Sequence, residues 1–439
     1  MQRTDLPFCS LLAPWVSLTR YTRSICAVGS PTVHVPAMTE PAAIPHASAT
    51  RLTARARSVM VLVAATLVTL PFGTIYAFSV FLKPMEQMIG VGRAEMAFVF
   101  SAASVCMTAG MLLGPRLYRR VPPVPLLAAC GLVAGAGLLV AARAEGLIQM
   151  LLGYGLLFGV GGGLSFVLVQ QGMNQTVGTL NGLANGYLVG LYPLGAMIGA
   201  PLFGWAIGVW GLRVTLMALA VSVVVTSLAA ALLFRVADIR MQDASASSAD
   251  TEARQWGLFA RLFGVFFLAA SAGLMVMSQA AGILSAYGAK TAYALGGTTF
   301  ITGAIAAARI GGGWLVDRFA VPRVASGAHL LALSGSLLLL IWPSALMAVP
   351  ALTLVGMGYG FISGATAGSI ARYWHRNAFG RVASQMYIAW CVAAVTLPVI
   401  AGWLYDRTQG YHAAMMMAAC VNLLGALLAT TLPRRGPSS

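Results

Sequence analysis

From Ser58 onward, long apolar segments recur along the chain, each about 20 residues in length and each followed by a short polar break. A helix of that length crosses the hydrocarbon core of a bilayer, which is about 30 Å thick. Inside lipid every backbone polar group needs an internal partner, and a helix supplies it. The pattern predicts an all-α integral membrane protein with twelve transmembrane helices, at 59–82, 95–115, 124–142, 147–170, 183–208, 214–234, 262–286, 293–315, 324–342, 346–370, 382–404 and 412–432.

Composition excludes a soluble protein. Of the 439 residues, 59% are apolar and only 9% are charged, and the mean hydropathy is +0.83. The net charge of +16 does not indicate nucleic-acid binding, because the basic residues are scattered over short loops instead of lining one soluble face. The six cysteines have no metal-ligand or disulfide spacing, and no P-loop occurs. The lipid bilayer is therefore a predicted partner, whereas a metal, another cofactor and nucleic acid are not.

The longest polar break between the predicted spans divides the chain into two sets of six helices. It runs from Arg235 to Arg261, and the N-terminal residues before Ser58 contain no apolar run long enough to span a bilayer. The expected organisation is a disordered cytoplasmic tail, a six-helix bundle, a cytoplasmic linker, a second six-helix bundle and a short cytoplasmic tail, at 1–57, 58–234, 235–261, 262–432 and 433–439.

The two halves repeat one another at an offset of 197 residues. The matched pairs are Gly114 with Gly311, Gly159 with Gly356, Gly161 with Gly358, Gly163 with Gly360, and Pro201 with Pro398. Duplicated halves with a binding site between them are the usual plan of secondary transporters.

The distribution of Lys and Arg predicts the orientation, because these residues accumulate on the cytoplasmic side of a membrane protein. With both termini in the cytoplasm, 20 of the 27 basic residues fall in cytoplasmic segments and six in external ones. The remaining basic residue is Arg309, which is the only Lys, Arg, Asp or Glu well inside a predicted span. The expected location is the inner membrane of a bacterium, with the chain as a monomer.

Arg309 is the strongest functional signal in the sequence. It lies eight residues before Asp317, about 12 Å from the charged end of its helix. A guanidinium does not lose its proton, so it must face a polar cavity, a carboxylate or a bound anion rather than lipid. We interpret Arg309 as the anion-binding residue of a transporter. The structural alternative is that it satisfies backbone carbonyl groups at a helix break.

The turn that contains Gly313, Asp317 and Arg318 resembles the loop signature of the major facilitator superfamily. The equivalent turn in the first half keeps Gly114 and has Tyr118 where the aspartate belongs. The resemblance implies a twelve-helix fold of two six-helix repeats. It also implies that Gly313, Asp317 and Arg318 form a gating motif on the cytoplasmic side, with a conformational role.

Within that superfamily, the chain looks like the branch of oxalate/formate antiporters and monocarboxylate porters. The resemblance rests on Gly73 to Phe81 with Pro84, on Gly182-Leu183-Ala184 with Tyr192 and Gly195-Ala196, on Arg309, and on Phe379-Gly380. It implies that Tyr76 and Tyr192 line the cavity and that Arg309 binds the substrate carboxylate. Trp390 stands where oxalate carriers place a lysine, so the implied substrate has one carboxylate.

Further polar side chains inside the spans extend the candidate site. Tyr359, Tyr387 and Trp390 are predicted to line the cavity, with packing as the alternative role for the tyrosines. His329, the only histidine inside a span, is a candidate proton relay; the alternative is a hydrogen-bonded core residue. Weaker candidates near span ends are Gln170, Gln171, Asn174 and Gln279.

These features predict a secondary transporter of a small monocarboxylate such as lactate, pyruvate or formate. It would work by alternating access, as an exchanger or a proton symporter. The alternatives are an exporter of amphipathic organic compounds and a membrane sensor that binds a carboxylate without moving it. An enzyme is not predicted, because no pair of catalytic acids and no Ser/His arrangement lies inside the spans.

Overall fold

The computed structural model describes residues 53–177, 181–241, 255–374 and 378–434. Within these ranges every regular element is a helix, so the predicted all-α class is confirmed. The described residues belong to one compact unit. Most of the predicted tails and part of the predicted linker, at 1–52, 242–254 and 435–439, lie outside the described residues.

In the described ranges the chain forms fourteen α-helices, a 3₁₀ turn at Gly73–Ala77 between α1 and α2, and a π-helical stretch at Leu151–Phe158 between α5 and α6. In chain order, helices α1 to α14 are Ala54–Phe72, Phe78–Ile89, Arg93–Leu117, Pro123–Ala142, Leu147–Met150, Gly159–Thr176, Asn181–Val236, Trp256–Ala286, Thr291–Arg318, Val321–Ile341, Ala345–Tyr373, Phe379–Ala394, Leu397–Thr408 and His412–Thr430.

Eleven helical segments in the described part of the chain are long and apolar enough to cross a membrane, whereas the sequence predicts twelve. The difference lies in α7, where one continuous segment, Gly182–Val236, has 55 residues. At 1.5 Å per residue it would be about 80 Å long, far more than one bilayer crossing needs. Its regular geometry breaks at Gly211, with φ 80° and ψ 166°, where two helices meet. A positive φ of this kind is readily adopted by glycine alone.

The 3₁₀ turn after α1, at Gly73–Ala77, packs against α7. Pro71, near the end of α1, has no N–H and so weakens the regular helix at this point. Gly73 packs on the α7 backbone so closely that a Cβ atom there would lie 2.5 Å from the Tyr192 carbonyl oxygen. The turn therefore places Tyr76 beside Tyr192, with 6.0 Å between the ring centroids.

The buried apolar side chains form two hydrophobic clusters, one drawn from residues 61–239 and the other from residues 258–432. Tyr76 and Tyr387 are half-buried and pack against both clusters. The space between the two clusters is therefore lined in part by tyrosines. The two clusters come from the same two parts of the chain as the predicted bundles at 58–234 and 262–432. The division into these bundles stays a prediction.

Glycines allow two helices to approach α9 at Arg309. A Cβ atom at Gly186 of α7 would lie 2.5 Å from the Arg309 carbonyl oxygen, and a Cβ atom at Gly364 of α11 would overlap the same oxygen. Small residues let helix backbones approach closely in membranes. The backbone of α9 is therefore held between α7 and α11 where it carries its buried arginine.

We expect Gly364→Ala to destabilise the protein, because the added methyl group meets backbone rather than a movable side chain. Overpacking of this kind costs about 1–3 kcal/mol. The melting temperature of the purified protein should fall, and α9 should be displaced. Gly327→Ala is the matched control, since a Cβ atom at Gly327 in α10 has no heavy atom within 4 Å. A melting temperature that is unchanged in Gly364→Ala would show that α9 is not held in this way.

Candidate functional site

Arg309 lies inside α9 with 2% of its surface exposed. Its Nη1 donates to the Val189 carbonyl oxygen at 2.9 Å, and its Nη2 donates to the Tyr359 hydroxyl at 2.9 Å. Both partners are neutral. Within the described ranges the structure shows an ion pair between Arg240 and Asp238, and Arg309 is not part of it. The guanidinium is therefore hydrogen-bonded by the protein, and its charge is not neutralised there.

The carbonyl group that receives Arg309 is made available by a proline. In an α-helix the Val189 carbonyl would accept from the N–H of the residue four positions later. That residue is Pro193, which has no N–H, and it lies inside α7. The structural role considered for Arg309, satisfying a backbone carbonyl at a helix irregularity, thus describes one of its two hydrogen bonds.

Five aromatic side chains form a continuous series beside Arg309, which we name the ring chain: Trp390, Tyr76, Tyr192, Phe166 and Tyr387. Successive ring centroids are 6.3, 6.0, 5.3 and 5.4 Å apart, and the interplanar angles lie between 56° and 79°. These distances lie in the range of favourable edge-to-face pairs. The ring chain joins residues of both hydrophobic clusters around one space.

The guanidinium also interacts with two aromatic faces. Its Cζ atom lies 5.8 Å from the ring centroid of Tyr76 and 5.1 Å from that of Tyr359. A cation within about 6 Å of an aromatic ring is attracted by the negative face of the ring. This attraction contributes to holding the charge without a carboxylate, and it orients Arg309 towards the cavity.

Three buried polar atoms that face this region have no hydrogen-bond partner among the described residues: Arg309 Nε, the Tyr192 hydroxyl and Trp390 Nε1. An unsatisfied buried donor costs about 1–3 kcal/mol, and more when it is charged. Three such atoms around one cavity indicate a place where a polar guest completes the hydrogen bonding.

The six predicted substrate-binding residues line one cavity of about 30 Å³. They are Arg309, Tyr76, Tyr192, Trp390, Tyr359 and Tyr387. Their role in binding stays a prediction, although the structure brings them together. The sequence reasoning missed six further lining residues, namely Met107, Met111, Phe166, Val189, Phe266 and Ser363. Ser363 was accessible to pattern reasoning, because it lies one helical turn after Tyr359; the apolar residues carry no such signal.

The predicted gating motif connects the end of α9 with the beginning of α7. The Asp317 carboxylate accepts from the Gly182 N–H at 2.9 Å and from the Leu183 N–H at 2.8 Å. A carboxylate at a helix N-terminus satisfies free N–H groups and interacts favourably with the helix dipole. The Arg318 guanidinium lies 4.1 Å from the Trp314 ring centroid. A Cβ atom at Gly313 would overlap the Gly182 carbonyl oxygen, so Gly313 permits the close approach.

The family model of the Major Facilitator Superfamily matches residues 61–287 and 261–439. The chain belongs to the Major Facilitator Superfamily. It is an integral membrane protein, and its family consists of transporters rather than enzymes. The resemblance that the sequence showed to this superfamily is confirmed, and two distant relatives fit its monocarboxylate branch.

Two curated proteins are similar in sequence to part of this chain. Monocarboxylate transporter 3 of Rattus norvegicus and monocarboxylate transporter 3 of Mus musculus are each 32% identical to the chain over 142 residues. Each alignment covers 30% of this chain and 29% of the relative, so the chain spans less than a third of the length of these relatives.

Solved structures of the superfamily share the fold over most of the chain. The proton:xylose symporter XylE superposes with a TM-score of 0.70 at 14% identity, covering 87% of this chain and 97% of that one. The human organic anion transporter MFSD10 superposes with a TM-score of 0.62 at 16% identity, covering 86% of this chain and 100% of that one. At such identities the likeness establishes the superfamily fold.

A buried amide cluster adjoins the cavity of this superfamily member. Gln170 Nε2 donates to Asn185 Oδ1 at 3.0 Å and to the Tyr387 hydroxyl at 3.2 Å, and Asn174 and Asn185 also bond to one another. The weak candidates Gln170 and Asn174 thus belong to one network. Because Gln170 lies on α6 and Tyr387 on α12, the network connects the first half of the chain with the second.

His329 is fully buried and does not line the cavity. Its Nδ1 lies 3.0 Å from Asn422 Oδ1, its Nε2 lies 3.2 Å from the Val265 carbonyl oxygen, and its ring fills the space left by Gly425. The imidazole therefore bridges α10, α14 and α8. This packing supports the alternative of a hydrogen-bonded core residue, and the proton-relay role stays untested. Within the described ranges no group of three His, Cys, Asp or Glu residues is placed to hold a metal ion.

We expect His329→Gln to lower the melting temperature while leaving substrate exchange and its acceleration by a proton gradient in place. Glutamine removes one of two bridging contacts to neighbouring helices, and the cavity is unchanged. Uptake into proteoliposomes, with and without an inward proton gradient, measures the coupling. Loss of the gradient effect with intact exchange would instead assign the proton to His329.

Proposed function

We propose that this superfamily member is a secondary active transporter of small monocarboxylates, for which lactate, pyruvate and formate are the simplest candidates. The observation that carries the proposal is the buried Arg309 guanidinium, which has neutral partners and an unpaired Nε. The relative named monocarboxylate transporter 3 supports the same substrate class. The proposed location is a bacterial plasma membrane, with both termini in the cytoplasm and the chain as a monomer.

A carboxylate fits this site by charge and by geometry. A guanidinium presents planar pairs of N–H donors that match the two oxygens of a carboxylate. Leaving a buried charge without a counterion costs several kcal/mol, and a bound carboxylate offsets that cost. The carrier should therefore reorient more readily when it is loaded than when it is empty, which favours exchange.

Alternating access requires the contacts between the two halves on one side to separate. Asp317 of α9 bonds to the start of α7, and Gln170 of α6 bonds to Tyr387 of α12. Both contacts join the first half of the chain to the second. We assign them to the closed cytoplasmic side, since the charge distribution orients the ends of these helices towards the cytoplasm.

The residues that line the cavity bear on how a coupled proton would cross. The lining residues that the structure describes contain no carboxylate and no imidazole. In proton symport, the proton would therefore cross with the substrate acid. Export of amphipathic compounds remains the alternative, and the aromatic wall is the observation that favours it.

Arg309→Lys should keep the fold and lose most transport. Lysine retains the charge but lacks the planar set of donors that contacts both carboxylate oxygens. Loss of one charge-assisted hydrogen bond, about 1.5–3 kcal/mol, corresponds to roughly 10- to 100-fold in affinity. Lactate binding to the purified protein measures the effect, and Arg323→Lys, at an exposed position in α10, is the control. Unchanged affinity in Arg309→Lys would refute the assignment of Arg309.

The number of negative charges on the substrate gives a second test of the same site. A small dianion such as oxalate would bring a second carboxylate to a cavity with one cation, beside the Trp390 indole. An unpaired buried charge costs several kcal/mol, so oxalate should bind about 100-fold more weakly than lactate. Trp390→Lys should narrow that gap by supplying a second cation.

Trp390→Leu controls for the change in volume, because it removes the indole without adding a charge. The ratio of the two dissociation constants should stay near its wild-type value in this variant. Equal affinities for oxalate and lactate in the wild-type protein would contradict a site with one cation.

A further inference from the structure

Apart from its one cation, the cavity wall consists almost entirely of aromatic and apolar side chains. Seven of its twelve lining residues are aromatic, and Met107, Met111 and Val189 are aliphatic. The other two are Arg309 and Ser363. The wall therefore suits a ligand that joins one anionic group to an apolar body.

The ring chain favours an aromatic body over an aliphatic one. Its neighbouring rings meet at 56° to 79°, so the set presents both edges and faces. An additional ring that packs among them gains edge-to-face contacts beyond the area that it buries. A two- or three-carbon acid held by Arg309 has no group large enough to make these contacts.

Two methionines of the cavity wall suit ligands of different size. Met107 and Met111 lie one helical turn apart on α3 and both line the cavity. Methionine has three rotatable bonds and a polarisable sulfur that contacts aromatic rings favourably. Both side chains are therefore of a type that adapts to ligands of different size.

We propose that the preferred substrates of this protein are aryl-substituted monocarboxylates, in which Arg309 binds the carboxylate and the ring chain contacts the aryl group. The proposal rests on the proposed function, because it requires Arg309 to be the carboxylate site. It narrows the substrate class from any small monocarboxylate to those with an aromatic body.

The test compares acetate with phenylacetate, which differ only by the aromatic ring. Binding of each to the purified full chain is measured by isothermal titration calorimetry, with 2-phenylethanol as the uncharged analogue. Phenylacetate should bind at least tenfold more tightly than acetate, and 2-phenylethanol should bind far more weakly than phenylacetate. Radiolabelled phenylacetate should also enter proteoliposomes in exchange for internal phenylacetate.

The outcomes separate the two proposals. Equal affinities for acetate and phenylacetate would overturn the aryl preference and leave the carboxylate site intact. No binding of either acid, or equal affinities for phenylacetate and 2-phenylethanol, would overturn the carboxylate site and the aryl preference with it.

Phe166→Leu tests the ring chain, because Phe166 lies between Tyr192 and Tyr387 in that series. The variant should lose most of the preference for phenylacetate, measured as the ratio of the dissociation constants of acetate and phenylacetate. A preference that remains tenfold or more in the folded variant would overturn the assignment of the aryl group to the ring chain. The wild-type comparison stands without this variant if the variant does not fold.

Discussion

A guanidinium that does not lose its proton lies among apolar helices, and the contacts around it compensate for the burial of its charge. The Arg309 guanidinium donates hydrogen bonds to a backbone carbonyl of α7 and to a hydroxyl of α11, and it lies close to two aromatic rings. Glycines at 186 and 364 let both helices approach close enough to supply these contacts. The close contacts of α9 with α7 and α11 thus meet at one residue, through its side chain and its backbone.

The two halves of the chain use their equivalent turns differently. In the second half, Asp317 accepts two N–H groups at the start of α7. In the first half, Tyr118 takes the place of the aspartate, and its hydroxyl lies against Gly380 at the start of α12. An ionised carboxylate interacts more strongly with a helix N-terminus than a neutral hydroxyl does. The contacts made by Asp317 and Tyr118 are therefore unequal in strength, although the two turns are equivalent in the repeat.

The helices were predictable from sequence because lipid imposes length and composition on every span. The break at Gly211 lies between the spans predicted at 183–208 and 214–234, although the two helices follow one another there without an intervening loop. Arg309 was found because a charge inside an apolar run stands out, and the aromatic candidates because the family resemblance directed attention to them. Phe166, Met107 and Phe266 were missed, since an apolar residue that lines a cavity has the same sequence signal as one in a core. Val189 also supplies the carbonyl group that accepts from Arg309, and no side-chain pattern reveals such a backbone contact.

Pro193 has an effect on α7 that reaches beyond the bond it removes. The Val189 carbonyl has no helical N–H at the next turn, and Arg309 is its hydrogen-bond donor. A ligand anion that draws the guanidinium away leaves that oxygen with no helical bond to re-form. The backbone hydrogen bonding of α7 at Val189 and the position of the Arg309 guanidinium are thereby coupled, so a displacement of one side chain of α9 would change the hydrogen bonding of a neighbouring helix.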